Sequence, residues 1–227
     1  MFAQKTKQPV VLKLETDTLK VVDDRYREDQ FYISITYNLL ANKPTGVTQS
    51  GFSTGYHLGF IRDMPINKQR NLAIGIGLGV SSNSYNNTLL INQAGNDYTY
   101  EVIDDRDLSY DKNKFTNYLV EFPVELRWRT STATEYNFWR IYTGFKVGYV
   151  VYNSSKFVSN SGDLRLSQID DMNNFQYGLT FSAGYSNISF HAYYALNNVF
   201  NSNATLVSNG ETIETSAVKI GLMFYIL

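Results

Sequence analysis

Leu72-Ala73-Ile74-Gly75-Ile76-Gly77-Leu78-Gly79-Val80-Ser81 alternates without a break between branched aliphatic residues and very small ones. A period of two marks a strand, whose successive side chains point to opposite faces. Leu72, Ile74, Ile76, Leu78 and Val80 form a face fit to meet an apolar medium. The opposite face, Ala73, Gly75, Gly77, Gly79 and Ser81, is the more informative. Glycine weakens a strand and usually marks crowding or the close approach of another backbone. A face turned to water has no need of it. A narrow barrel interior, filled by long side chains from neighbouring strands, does.

The same alternation recurs on both sides of this stretch. Upstream, Phe31, Ile33, Ile35, Tyr37 and Leu39 oppose Tyr32, Ser34, Thr36 and Asn38, and a second run spans Phe52 to Phe60. Downstream, similar runs cover Tyr118–Trp128, Trp139–Val151, Phe175–Tyr185, Ile188–Leu196 and Val218–Ile226, making eight segments. The connections alternate in length. Short ones fall at Asp63–Arg70, Thr130–Asn137 and Ser186-Asn187, longer ones at Ala41–Ser50, Asn86–Lys114, Asn153–Asn173 and Asn197–Thr215. Within the longest, Leu89–Ile91 and Tyr98–Val102 flank Gln93-Ala94-Gly95-Asn96 and read as a hairpin rising above the barrel. The expected fold is all-β: an eight-stranded antiparallel up-and-down barrel over residues 30–227.

Alternation does not say which face of such a barrel is turned outward, because a soluble lipocalin-like barrel alternates with its apolar face inward. Three features point to a membrane barrel: the small-residue face above, the placement of aromatics and the C-terminus. The 227-residue chain holds 18 Tyr and 14 Phe. Phe31, Phe60, Trp128, Trp139 and Tyr185 gather at the short-turn ends, and Tyr85, Tyr118, Tyr149, Tyr152 and Phe175 near the long loops. Two such bands match the aromatic girdles of the two membrane interfaces. The last segment, with Lys219, Gly221, Phe224 and Ile226, resembles the C-terminal signal read by barrel-assembly machinery. Short turns are then periplasmic and long loops extracellular, with both termini on the periplasmic side.

Mean hydropathy is slightly polar at -0.28, and no window holds the roughly 18 apolar residues a membrane helix requires. A net charge of -1 argues against a nucleic-acid partner, since no basic patch is available to displace counterions from phosphates. The absence of cysteine rules out disulfides and thiolate metal sites. Residues 1–29 carry mixed charge and weak periodicity and read as a periplasmic tail. Phe2-Ala3-Gln4 looks like the end of a signal peptide cleaved after Ala3, so the chain is expected to be trimmed or to start at an internal Met.

Three stretches carry a family resemblance: Gly55-Tyr56-His57-Leu58-Gly59-Phe60, Phe122-Pro123-Val124-Glu125-Leu126-Arg127, and Phe138-Trp139-Arg140-Ile141-Tyr142-Thr143-Gly144. With them the pattern from Phe31 to Leu227 resembles the PorT-like outer-membrane barrels of Bacteroidota. Glu125-Leu126-Arg127-Trp128-Arg129-Thr130, followed by Trp139-Arg140, is most similar to the PorT/SprT branch. That resemblance implies a component of the type IX protein secretion system, which also supports gliding motility. It implies partners among secretion or envelope proteins, and it carries no catalytic residues.

Glu121, Glu125, Arg127, Arg140, Lys146 and Lys219 fall on the inward faces of three segments. Charges in a narrow, weakly polarisable lumen must be paired, so an internal salt-bridge network that plugs the barrel is expected, rather than an ion path. Ser189 and His191 share an inward face, and some eight-stranded outer-membrane enzymes use Ser and His on lipids. The strand spacing gives no support for a nucleophile, base and orienting acid within hydrogen-bond reach, and no enzyme activity is expected. Asp104-Asp105-Arg106-Asp107, with Asp97, Glu101 and Asp111, is acidic but lacks the glycine and terminal Glu of a helix-loop-helix calcium loop. A solvated loop is expected there, with no metal and no cofactor. The remaining alternative is a stand-alone structural or adhesion barrel.

Overall fold

A computed structural model of the chain describes residues 27, 29–49, 51–95, 97–104, 110–130 and 138–226. The signal-peptide remnant, nearly all of the 1–29 tail, Asp105–Asp107 and the 131–137 turn lie outside the described residues. Eleven strands are described: β1 (Gln30–Ala41), β2 (Thr54–Pro65), β3 (Leu72–Asn86), β4 (Leu89–Ala94), β5 (Asp97–Val102), β6 (Tyr110–Arg129), β7 (Trp139–Ser159), β8 (Gly162–Ser167), β9 (Phe175–Tyr185), β10 (Ile188–Asn198) and β11 (Ser216–Ile226).

Eight of them close into one antiparallel barrel in the order β6-β3-β2-β1-β11-β10-β9-β7, with β7 returning to β6. Closure leaves no sheet edge, which lipid would otherwise leave without hydrogen bonds. The first and last barrel strands meet, Phe31 opposite Ile226, at the end that carries the short turns. The tightest of these turns, between β9 and β10, needs a positive φ at Ser186 (φ 55) to reverse the chain.

The faces fall as the alternation requires. Ile76 is 50% exposed and Leu222 48%, whereas inward Ser34, Asn38 and Arg127 are fully buried. A protein stable in water would not expose such a continuous belt of large apolar side chains. Inside, the glycines of β2 and β3 give the room the sequence suggested. The Tyr32 side chain lies along the lumen wall over Gly59 and Gly79 of the next two strands, where a Cβ at either glycine would collide with its phenol end. Pro123 sits within β6, and the β3–β6 pairing skips Gly77 and Leu78 at that level. A proline cannot donate to the ladder, so the gap accommodates it.

Several expectations are corrected. β2 runs on to Pro65, so Asp63 belongs to the strand and not to the turn, which spans 66–71. Asn153–Asn173 is not a plain loop: β7 continues to Ser159 and pairs with β8, which takes over the β7 edge beyond the point where β9 ends. Asn86–Lys114 contains the expected β4–β5 hairpin, but β6 already begins at Tyr110. Tyr85 is not part of a girdle. It lies on the inward parity of β3, fully buried and stacked on Phe115 with ring centroids 4.9 Å apart.

Candidate functional site

The barrel interior is filled at three levels. Midway along it, Glu121 of β6 is the central acceptor. It receives the Lys146 ammonium at 3.1 Å and the Ser81 hydroxyl at 2.8 Å, and its carboxylate lies 3.2 Å from His57 Nδ1. The other His57 nitrogen stands 3.4 Å from the Thr36 hydroxyl. Lys219 makes no ion pair among the described residues. It shares the ring of Tyr193 with Lys146, the two ammonium groups lying 4.9 and 5.0 Å from the ring centre. Aromatic faces stabilise a cation in a desolvated place where no carboxylate reaches it.

Toward the short turns, Asp63 is the anchor. Arg129 donates to both of its oxygens at 2.7 Å, a bidentate pair, and Arg127 adds a third bond at 3.1 Å. Arg127 also donates to Gln30 and lies 3.7 Å from Glu125. Its guanidinium covers the Tyr142 ring at 4.2 Å. Arg140 is fully buried, and its guanidinium has no hydrogen-bond acceptor among the described residues. It lies instead between Phe138 (4.6 Å) and Tyr225 (4.8 Å). Tyr32, Ile61, Tyr142, Met223 and Tyr225 pack into an apolar cluster around these cations.

The six charged residues singled out in the sequence therefore all point inward, but they split into two groups, and all four cations among them, Arg127, Arg140, Lys146 and Lys219, lie over aromatic rings. Asp63, Arg129, Gln30, His57 and Ser81 complete the networks and were missing from the expected set. The signal for Asp63 was present: Ile61 and Asp63 continue the inward parity of β2, just as Arg129 continues that of β6 after Arg127. Ser189 and His191 are both buried in the lumen but do not pair. His191 Nδ1 lies 2.8 Å from Ser182 Oγ, and the Ser189 hydroxyl has no hydrogen-bond partner among the described residues. Gly221 packs against the Ile35 backbone, while Phe224 and Ile226 lie on the outward face of β11.

At the long-loop end the connections form a folded cap. Tyr85, Leu89, Ile91, Tyr100, Phe115, Ile169, Phe200, Leu206 and Ile213 make up most of an apolar cluster that spans the β4–β5 hairpin and the 199–215 loop. Phe200 is met edge-on by Tyr100 at 5.7 Å and by Phe115 at 5.5 Å. The Tyr100 hydroxyl donates to Asp171 at 3.0 Å, and the Tyr100 carbonyl accepts from Val207. Burial, and then the negative charge of Asp171, push the Tyr100 phenol well above its ordinary value.

On the outer surface, aromatic pairs mark both barrel ends. Phe31–Phe60 (4.9 Å) and Trp139–Tyr185 (5.3 Å) lie at the turn end, Tyr118–Tyr152 (5.8 Å) and Tyr149–Phe175 (5.2 Å) at the cap end.

Over residues 2–201 the chain matches a family described as "Outer membrane protein beta-barrel domain". Among solved structures it is similar to Ail, the attachment invasion locus protein of Yersinia pestis. The identity is 15%, the TM-score 0.33, and the match covers 88% of this chain and 99% of Ail. A second structure of Ail, in complex with the heparin analogue sucrose octasulfate, matches at 15% identity and a TM-score of 0.31 over the same shares. No curated protein matches the chain.

Proposed function

The chain belongs to the outer-membrane protein β-barrel domain family, and on that premise we propose that it acts by binding protein partners as a component of the type IX secretion apparatus. It is an outer-membrane barrel, and the remaining question is what such a barrel does. The carrying observation is the filled interior. Eight strands enclose just enough space for side chains, and here that space holds two charged networks beneath an apolar cap. A rigid, sealed body offers its loops and tail to other molecules and offers solutes no passage.

The secretion assignment is supported by the sequence resemblance of Gly55–Phe60, Phe122–Arg127 and Phe138–Gly144 to PorT-like barrels of Bacteroidota. Periplasmic termini are supported by the meeting of β1 and β11 at the short-turn end. Lys219, Gly221, Phe224 and Ile226 are proposed as the segment read by barrel-assembly machinery during insertion. Catalysis is not part of the proposal, and His191→Ala is expected to leave lipid A and phospholipid unmodified relative to wild type.

Affinity purification of the tagged protein from its native outer membrane in mild detergent, with mass spectrometry of what co-purifies, tests this reading. Near-stoichiometric secretion subunits are expected. Recovery of the barrel alone, under conditions that hold other envelope complexes together, refutes it. A second reading, a stand-alone adhesion or structural barrel, is favoured by the ordered cap. It requires that deletion spare secretion and lower surface adhesion or envelope robustness.

A further inference from the structure

Beyond the outer girdle, β6, β7 and β8 continue together as a three-stranded extension whose outward face is built in rows. The girdle pair Tyr118–Tyr152 forms the lowest row. Two residues further along, Thr116, Ser154 and Ser167 stand opposite one another as a row of hydroxyls. Two residues beyond that, Lys114 faces Lys156, which faces Arg165. The three rows line one groove of about 340 Å³. Lys112 and Lys114 also line the groove on the other side of β6.

Like charges placed directly across neighbouring strands destabilise a sheet. Three cations in register therefore work against the fold unless an anion joins them. No side chain among the described residues does: Lys112, Lys114, Lys156 and Arg165 make no ion pair and no side-chain hydrogen bond there. Among the described residues two carboxylates lie near, Asp163 of β8 opposite Val158 and Asp111 in the adjoining groove, fewer than the four cations. Burial, with Lys112 and Lys156 beside it, lowers the pKa of Lys114.

We propose that this face binds the phosphate groups of a phosphorylated glycolipid of lipid A type in the outer leaflet. The source of the phosphate follows from position. The cation row continues the lipid-facing surface directly above an interfacial tyrosine pair, at the height where headgroups begin. Arg165 supplies a planar fork suited to phosphate oxygens, the lysines supply point charges, and the Ser154 and Ser167 hydroxyls supply donors between them and the tyrosines, the Thr116 hydroxyl being engaged with Ser84. The inference rests on the proposed orientation, with the cap facing outward.

The test uses the full chain in phosphatidylcholine nanodiscs, with displacement of a fluorescent lipid A as the readout. The competitors are phosphorylated lipid A, chemically dephosphorylated lipid A and inorganic phosphate. The triple variant Lys114→Gln/Lys156→Gln/Arg165→Gln is compared with wild type after heat-modifiable electrophoretic mobility has shown that it folds. At least a tenfold loss of lipid A affinity is expected in the variant, and a similar deficit for dephosphorylated lipid A on wild type. Unchanged affinity in the variant overturns the proposal. So does inorganic phosphate competing at the concentrations effective for lipid A, which would make this a site for soluble anions. Should the triple variant fail to fold, Arg165→Glu, on a strand outside the closed barrel, carries the same expectation. Orientation is read separately. The described chain has no cysteine, so Asn209→Cys in the cap loop labels with an impermeant maleimide on intact cells only if the cap faces outward.

Discussion

At the scale of single residues, Asp63 is the point on which the turn-end network depends. It pairs with both Arg127 and Arg129, and removing one partner of a buried pair leaves charge without compensation. Asp63→Ala is expected to lower stability by about 3–5 kcal/mol, read by urea unfolding in lipid vesicles. Adding Arg129→Met should recover part of that loss, and strict additivity of the two changes would contradict the pairing. Glycines make a second comparison. A Cβ at Gly144 would strike the Val124 carbonyl on the neighbouring strand, whereas the atoms nearest to one at Gly59 belong to the phenol end of the Tyr32 side chain. Gly144→Ala should therefore cost about 1–3 kcal/mol by overpacking, and Gly59→Ala measurably less. Equal losses would show that the Tyr32 ring has no room to yield.

At the scale of elements, the β4–β5 hairpin is tied to the cap through Tyr100, and this tie carries a pH signature. The folded phenol keeps its proton above the ordinary value of 10.0, at which the unfolded phenol gives it up. The folded state thus binds the proton more tightly, and the stabilisation is complete below about pH 10 and declines as pH rises beyond it. Nicking of the hairpin by an alkaline protease should stay constant from about pH 7 to 9 and increase above about pH 10. Tyr100→Phe should raise the baseline, through loss of the bond to Asp171, and blunt the increase. A wild-type profile that is flat through pH 11 would dissociate the hairpin from this contact.

At the scale of the whole molecule, the two interior networks and the cap close the barrel along its length. Reconstituted in planar bilayers, the protein is expected to give no steady conductance, and discrete long-lived open levels would contradict a sealed interior. Mutations inside the lumen should then act on stability without opening a path, because in an eight-stranded barrel each removed side chain leaves only a small void among others.

What the sequence determined is the part governed by local periodicity. The run from Leu72 to Ser81 shows a strand, an apolar outward face and a crowded inward one, because pleating assigns each side chain to a face regardless of what lies across the sheet. Repeated eight times with alternating connections, that rule also fixes the barrel, and it turns Glu121, Glu125, Arg127, Arg140, Lys146 and Lys219 inward. What it leaves open is who meets whom. Asp63 reaches Arg129 only because β2 and β6 flank β3, and a shear of the barrel brings positions 66 residues apart to one level. Lys219 and Arg140 lie over aromatic rings while Glu121 and Asp63 pair with other cations. The row of Lys114, Lys156 and Arg165 depends on the β6–β7 register and on β8 taking the place of β9 along β7. The β7–β8 part is a local hairpin, but the β6–β7 register that sets Lys114 opposite Lys156 joins distant segments and leaves no trace in the local alternation, so only the tertiary structure decides it.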